Sequence, residues 1–505
     1  MEFYEKVNRI AKTEKGEIEG IPGNIPQYTV FKGIPYAKAP VGELRWREPQ
    51  ETEKWEGVYH ADHFGPIAPQ MRHPKGSLYG DEFFQSAEDM SEDCLYLNIW
   101  TPEVKEEKKL PVLFWVHGGG LTGGYGFEPE FDGEAFCKEG VILVTFNYRL
   151  GVLGFLCHED LAKESEHGVS GNYGHLDQIA ALKWVRKNIG AFGGDPDNIT
   201  IFGQSAGAFS VQTMLVSPLT RGDIAGSIIM SCADINWPDP GMGQKPMETA
   251  EKQGAEFMKD AGCHSIDELR GKSADELMAV MMKGFMKYPM GTVIDHYLLD
   301  EAVSDSYYQG NYPDLPMMIG NTAGEWTLVF GVPEDPEVWK EQQRQMMGPA
   351  AEKYLELLQV EKKEDIMRAI QESHSWMVKN RVLCELNIRH DHKPCYLYLF
   401  DHDLPGNEAG SFHSSELWYV FGTVARCWRP MTGTDYDISR VMTKSWANFA
   451  KQKNPNGEGV PEWKPYQPEN PQNMVFSEKT ECKEIKELEV QRYLKEIMHG
   501  TCIKG

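Results

Sequence analysis

One serine of the chain lies in a pattern that supports nucleophilic catalysis. Ser205 stands between Gly203 and Gly207, directly after the apolar run 199–202. A serine on a sharp strand-to-helix turn favours glycine two residues to either side, because Cβ atoms there would clash with adjacent backbone. The helix predicted over 206–215 would aim its N-terminal amides at a negative charge forming near the serine. This pattern arises by chance in about one chain of this length in four, so other parts of a site are needed.

A glycine-rich stretch upstream can supply amides for an oxyanion. The residues 117–120 read His-Gly-Gly-Gly and follow the apolar run 110–116, which is typical of a strand buried on both faces. Successive glycines leave backbone N–H groups open to a tetrahedral oxyanion. A flexible loop is the alternative interpretation, because Gly123 and Gly124 follow closely. The position after a buried strand favours the oxyanion role, and we expect His117 to order the loop instead of acting as a base.

An acid and a base follow the serine in the order that such a site needs. Glu325 comes after the predicted strand 315–320, and His413 lies in a loop before an aromatic run. Hydrolases with this serine turn place the acid before the histidine along the chain. The chain has 76 acidic residues, so only position supports Glu325, and a lone loop histidine is more often merely hydrogen-bonded. The order nonetheless favours a Ser205–Glu325–His413 triad that performs acyl transfer.

Strands and helices alternate around these residues. Apolar runs at 110–116, 141–146 and 315–320 predict buried strands, and apolar residues at steps of three or four predict a helix over 174–192. This alternation predicts an α/β fold with a mostly parallel, doubly wound sheet and a site at the carboxyl ends of its strands. No linker or repeat is found, so we expect one domain over 1–505. Helical insertions at about 237–312 and 330–395 would build the pocket.

Charge and cysteine usage restrict the partners. The formal net charge is −25, which disfavours nucleic acid and anionic membranes as partners. No apolar run is long enough to cross a bilayer, and the first residues lack the apolar core of a secretion signal, so a cytoplasmic protein is expected. The 10 cysteines contain no C-x-x-C pair. We therefore expect reduced thiols and neither a metal nor a cofactor, and the oligomeric state, monomer or homo-oligomer, stays open.

The cluster Ser91, Glu92 and Asp93 offers a further candidate for catalysis. Acidic residues at the start of a strand more often pair with a buried arginine or cap a turn, and we favour that structural interpretation.

Read together, these stretches resemble the type-B carboxylesterases, the branch of the α/β-hydrolase fold that includes bacterial para-nitrobenzyl-type esterases and the cholinesterases. The resemblance covers nearly the whole chain, and its carriers are 31–46, 91–98, 117–120, 146–151, 171–174, 188–196, the serine turn and 410–422. It implies an α/β-hydrolase fold and a small-molecule ester substrate. It also implies Ser205 as nucleophile, Glu325 as acid and His413 as base, with an oxyanion hole formed by the amides of Gly119, Gly120 and Ala206.

Departures from the family bear on the substrate. Phe83 and Phe84 stand where cholinesterases carry a choline-binding tryptophan, so choline esters are not expected. Cys94 lacks an upstream cysteine with which extracellular relatives often pair it. Trp326 follows the acid where many relatives have glycine, and Ser231 stands in a segment that would support the triad by a hydrogen bond. Phe83, Phe84, Trp326, Trp418 and Ser231 are the pocket candidates, although aromatic residues are more often core.

Other activities are compatible with the same residues. An amidase, a thioesterase or an acyltransferase would use the same triad. A non-catalytic binding module is a further alternative, since the family resembles neuroligin-like proteins that lack the serine. The complete Ser205, Glu325 and His413 set argues against that module, and an esterase acting on small to medium, neutral apolar or aromatic esters is the principal prediction.

Overall fold

The computed structural model describes residues 7–83, 88–235, 244–284, 287–288, 290–325 and 332–500. The pocket candidates Phe84 and Trp326 lie outside these ranges. The strands are β1 Ile10–Thr13, β2 Gly16–Glu19, β3 Ile21–Pro22, β4 Thr29–Pro35, β5 Val58–His60, β6 Tyr96–Thr101, β7 Leu110–Val116, β8 Ile142–Phe146, β9 Gly194–Gln204, β10 Gly226–Met230, β11 Lys245–Pro246, β12 Val293–Ile294, β13 Met317–Thr322, β14 Cys395–Phe400, β15 Gln472–Phe476 and β16 Glu481–Glu484.

Helices connect and cover these strands. They are α1 Leu78–Glu82, α2 Glu134–Lys138, α3 Gly151–Phe155, α4 Glu159–Glu164, α5 Tyr173–Asn188, α6 Ala206–Val216, α7 Met247–Asp260, α8 Ile266–Arg270, α9 Ala274–Lys283, α10 Val303–Gln309, α11 Pro336–Met347, α12 Ala351–Leu358, α13 Lys363–Glu372, α14 Ser375–Arg389, α15 Leu417–Val420, α16 Gly433–Gln452 and α17 Glu489–Gly500. None of the described helices combines the length and apolar character that a membrane crossing needs.

A large twisted sheet forms the centre of the fold. In the described residues its strand order is β16-β15-β14-β13-β10-β9-β7-β8-β6-β4-β3. The pairings from β8 through β15 are parallel, and the pairings at both edges are antiparallel. The predicted mostly parallel α/β sheet is therefore confirmed.

Strand β7 shows why the middle of the sheet is hydrophobic on both faces. Val112, Phe114 and Val116 belong to one buried cluster, whereas Leu113 and Trp115 belong to another. Successive side chains of a strand point to opposite faces, so a continuous apolar run fills both. Residues of α5 and α6 join the first cluster and residues of α16 join the second. The helices thus cover the two faces and leave the carboxyl ends of the strands for the site.

The segment 330–395, expected to be helical, is divided into several helices. Helices α11 and α12 are separated at Gly348, which has a positive φ of 53° and precedes a proline. Helix α13 ends at Glu372, and α14 starts after His374, whose side chain caps it. A capping box at Ser273 begins α9. Caps made by histidine are uncommon, and the second break therefore has little signal in the sequence.

Candidate active site

Ser205 lies on a strained turn between β9 and α6. Its backbone has φ 55° and ψ −126°, and its N–H donates to the carbonyl oxygen of Met230 at 2.9 Å. A Cβ atom on Gly203 would lie 2.5 Å from the backbone of Gly207, and one on Gly207 would overlap the carbonyl oxygen of Val116. The two glycines are therefore required by close backbone approach, as the sequence pattern predicts.

The glycine loop after β7 passes beside this turn. A Cβ atom on Gly118 would lie 3.3 Å from the Cβ atom of Ser205. Gly119 and Gly120 have φ values of 100° and 64°, and both are exposed. Helix α6 begins at Ala206, so the amide of this residue has no acceptor within its own helix. The structure thus places the predicted oxyanion-hole residues in the segments next to the serine.

Neighbouring side chains hold the glycine loop in place. The Gly124 N–H donates to Gln70 Oε1 at 2.7 Å, and Gln70 Nε2 donates back to the Gly124 carbonyl at 2.9 Å. The Tyr148 hydroxyl donates to the His117 carbonyl at 2.9 Å, and the two rings stack with centroids 4.3 Å apart. Burial lowers the pKa of His117 to about 4. His117 is therefore a neutral part of the loop's support, in keeping with the role expected for it.

Glu325 and His413 are joined by both backbone and side-chain contacts. The Gly324 N–H donates to the Ser411 carbonyl at 3.0 Å, and the His413 N–H donates to the Glu325 carbonyl at 3.0 Å. These bonds align the segment after β13 with the segment 401–416, which carries His413 and is called the histidine loop. His413 Nδ1 then lies 2.5 Å from Glu325 Oε2, while Oε1 accepts from the Thr322 N–H at 2.8 Å. The Glu325 side chain has no exposed surface.

The His413 ring lies against the serine turn. Gln204 immediately precedes Ser205, and its Nε2 lies 3.1 Å from His413 Nε2 and 3.4 Å from Nδ1, so the amide contacts the face of the ring. The structure therefore brings the predicted acid, base and nucleophile segments together. Gln204 is not among the predicted site residues, and its position directly before Ser205 is the sequence signal that points to it.

A second buried acid, Glu416, lies near Glu325. Burial, and then the negative charge of Glu325, raise the pKa of Glu416 from 4.5 to about 8. Its Oε1 accepts a 3.5 Å hydrogen bond from the Ser231 hydroxyl. Glu416 is therefore protonated at neutral pH, and it adds no second negative charge. Glu416 is not among the predicted site residues, because acidic residues are abundant in this chain and carry little signal by type.

The described pocket candidates pack beneath the histidine loop. Trp418 and Ser231 have no exposed surface, and Phe83 is 4% exposed. Phe83 stacks between Tyr79 and Trp418, with ring centroids 5.9 Å apart in both pairs. The Tyr79 hydroxyl donates to the His413 carbonyl at 3.1 Å. Phe83, Trp418 and Ser231 thus support the loop and do not form an open pocket wall. An aromatic residue in the core and one in a pocket look alike in sequence.

The acidic cluster at 91–93 has the structural role that the sequence favours. Arg45 Nε donates to Glu92 Oε2 at 2.6 Å, and this ion pair is largely buried. The described residues include no group of acidic, histidine or cysteine side chains arranged to hold a metal ion.

A parallel sheet with a serine turn and a Glu–His pair at its carboxyl edge defines the α/β-hydrolase class. The sequence profile of the carboxylesterase family matches residues 7–494, and the chain belongs to this family. It is 33% identical to the para-nitrobenzyl esterase of Bacillus subtilis (strain 168) over 491 residues, which cover 93% of this chain and 95% of that protein. It is 41% identical to the fumonisin B1 esterase of Sphingopyxis macrogoltabida over 327 residues, which cover 63% of this chain and 56% of that protein.

Solved esterase structures are also similar to this chain. A PNB esterase superposes with a TM-score of 0.83 at 30% identity and covers 96% of this chain and 99% of that chain. The carboxylesterase EST55 of Geobacillus stearothermophilus has a TM-score of 0.78 at 32% identity, with 95% and 98% covered. The predicted α/β-hydrolase fold and enzyme class are confirmed: the protein is a carboxylesterase, and it hydrolyses ester bonds.

Proposed function

We propose that this carboxylesterase works through a Ser205–His413–Glu325 triad and a covalent acyl-enzyme. The observation that carries this proposal is the position of the His413 ring. Its Nδ1 is 2.5 Å from Glu325 Oε2, and its Nε2 is 3.1 Å from the side chain of the residue that precedes Ser205. A base that an acid holds through one ring nitrogen, beside the segment that carries the nucleophile, is the arrangement that serine hydrolysis needs.

The reaction follows from these positions. Ser205 Oγ attacks the ester carbonyl while His413 Nε2 takes its proton, and Glu325 stabilises the protonated ring. The amides of Gly119, Gly120 and Ala206 hold the oxyanion. The ring then donates the proton to the leaving alcohol, and a water activated by the same nitrogen releases the acid.

Glu416 assists by remaining neutral. A second carboxylate beside Glu325 would repel it and would disturb its balance with the protonated histidine. Because burial keeps Glu416 protonated up to a pKa of about 8, the site carries one negative charge next to His413 at neutral pH. We assign Glu416 and Ser231 as a supporting pair behind the acid.

The substrates we propose are small to medium esters that are neutral and apolar or aromatic. The net charge of −25 disfavours strongly anionic substrates. Relatives carry the names para-nitrobenzyl esterase and carboxylesterase, which support ester substrates of this kind. Amides, thioesters and acyl acceptors other than water would use the same groups, so the bond type requires a direct test.

A substrate panel tests this proposal. Purified protein is assayed with para-nitrophenyl esters of increasing acyl length, beside a para-nitroanilide and a thioester with the same acyl group. We expect the esters to give a kcat/KM far above that of the anilide. Turnover of the anilide alone would overturn the ester assignment, and a preference for the thioester would replace it with thioesterase activity.

A further inference from the structure

Trp376, the second residue of α14, is placed unlike most described tryptophans. Its side chain is half-buried, whereas Trp46, Trp115 and Trp446 are almost completely buried. Within the described ranges it belongs to none of the buried hydrophobic clusters. Its ring instead packs against the His413 ring, with centroids 5.3 Å apart and planes inclined by 50°. A large apolar ring thus contacts the ring of the proposed base.

The start of α14 positions this ring. The ring nitrogen Nδ1 of His374 accepts from the Met377 N–H at 3.5 Å and so caps the helix. The His374 ring also meets the Trp376 ring edge-on, with centroids 6.1 Å apart. One turn further on, Asn380 Nδ2 donates to Asn321 Oδ1 at 3.0 Å. Because Asn321 belongs to β13, which leads to Glu325, the tryptophan is held on the same frame as the triad.

The position of the Trp376 ring beside His413 indicates which half of the ester substrate it contacts. The proton that His413 carries must reach the leaving oxygen, so this oxygen lies within hydrogen-bond distance of Nε2. Groups beside the His413 ring therefore contact the alcohol moiety of the ester in preference to its acyl chain. We propose that Trp376 forms the binding surface for the alcohol moiety and makes the enzyme select esters whose alcohol half is flat and aromatic. This inference rests on the proposed function of Ser205, Glu325 and His413.

The surroundings of Trp376 favour a neutral alcohol moiety over a cationic one. Burial lowers the pKa of His374, so this ring is uncharged at neutral pH. Glu325 is fully buried and engaged with His413, and Glu416 is protonated. Tryptophan can also bind cations through its ring face, so a choline-type ester is the rival ligand that the experiment has to exclude.

The experiment compares alcohol and acyl series in matched variants. Wild type, Trp376→Ala and Trp376→Phe are assayed with 2-naphthyl acetate and 2,2,2-trifluoroethyl acetate, which share the acyl group. For each ester, the kcat/KM of a variant is divided by that of wild type, so that the intrinsic reactivity of the leaving group cancels. We expect Trp376→Ala to lower kcat/KM for the naphthyl ester by about tenfold or more, mainly through KM. In the same variant, we expect kcat/KM for the trifluoroethyl ester to change by less than about twofold. We expect Trp376→Phe to retain most of the kcat/KM for the naphthyl ester.

Two further arms separate the alternatives. With naphthyl acetate, butyrate and hexanoate, the loss in Trp376→Ala should be the same for each acyl chain. Trp376→Ala should reduce kcat/KM for acetylcholine and for its neutral analogue 3,3-dimethylbutyl acetate to the same small extent. An equal loss for naphthyl and trifluoroethyl esters, a loss that follows acyl length, or a selective loss with acetylcholine would each overturn the proposal.

The same data distinguish this inference from the proposed function. A wild type that hydrolyses both acetates while Trp376→Ala leaves both unchanged contradicts the role of Trp376 alone. A wild type that hydrolyses neither contradicts the triad as well. If Trp376→Ala does not fold, Trp376→Leu keeps a large apolar side chain without the aromatic face and gives the same readout.

Discussion

The side chain of Gln204, the residue just before Ser205, lies against the His413 ring, with its Nε2 3.1 Å from His413 Nε2. An amide side chain is uncharged, so Gln204 contacts the ring without adding a charge beside it.

Replacing this amide by a carboxylate should shift the pH dependence of catalysis. In Gln204→Glu, a negative charge beside Nε2 stabilises the protonated ring, which cannot act as a base. The acidic limb of kcat/KM against pH should therefore move to higher pH, by about one unit or more. The uncharged control Gln204→Met should leave this limb in place. A Gln204→Glu profile that coincides with that of wild type would contradict the contact.

Replacing Glu416 by glutamine should change the pH dependence of stability. The folded protein raises the pKa of Glu416 from 4.5 to about 8, so the folded state holds a proton that the unfolded state loses. The wild-type free energy of unfolding therefore falls as pH rises from about 4.5 to about 8, by a few kcal/mol at most from this group. Glu416→Gln removes that dependence. The Tm of the variant minus that of wild type should therefore increase as pH rises through this interval. The exposed control Glu458→Gln should show no such trend, and parallel curves for wild type and Glu416→Gln would count against the assigned protonation.

Gly207, two residues after Ser205, should not tolerate a methyl group. A Cβ atom on Gly207 would overlap the carbonyl oxygen of Val116, which belongs to rigid backbone of β7. Gly207→Ala should therefore lower stability by about 1–3 kcal/mol or more and reduce activity further by shifting Ser205. Gly190→Ala is the matched control, because a Cβ atom there meets nothing within 4 Å. Urea unfolding and esterase assays on both variants measure the contrast, and similar behaviour of the two would contradict the described turn.

A buried ion pair should stabilise the segment beneath the histidine loop. Arg429 Nε lies 2.9 Å from both carboxylate oxygens of Glu82, the last residue of α1. Arg429→Met leaves this carboxylate buried and unpaired, and we expect it to cost about 3–5 kcal/mol of unfolding free energy. The double variant Glu82→Gln/Arg429→Met should recover much of that loss. Additive losses in a double-mutant cycle would show that the two side chains are not coupled.

Local features made much of this fold predictable. The continuous apolar run of Leu110–Val116 coincides with β7, because a strand buried on both faces needs no polar alternation. The glycines around Ser205 were predictable because their requirement is a steric property of one turn. The proximity of Glu325 and His413 could be expected from chain order, although 88 residues separate them in the sequence.

Contacts between distant segments were not predictable in the same way. The partners of Gln204 and Glu416 depend on how the histidine loop folds back over β9 and β13. Trp418 reads as a pocket residue from its place near His413, yet it lies in the core because its helix turns the ring inward. The break at His374, which creates α14 and places Trp376 beside the base, depends on a histidine cap that propensity does not favour.

The activity of Ser205→Ala tests whether Ser205 attacks the ester carbonyl. The measurement is kcat/KM for para-nitrophenyl butyrate, with Tm determined on the same preparation to show that the fold is intact. The triad predicts a fall of about 10⁴-fold or more at an unchanged Tm, because the remaining oxyanion amides catalyse only weakly without the nucleophile. Activity within about tenfold of wild type in a folded Ser205→Ala protein would exclude Ser205 as the nucleophile.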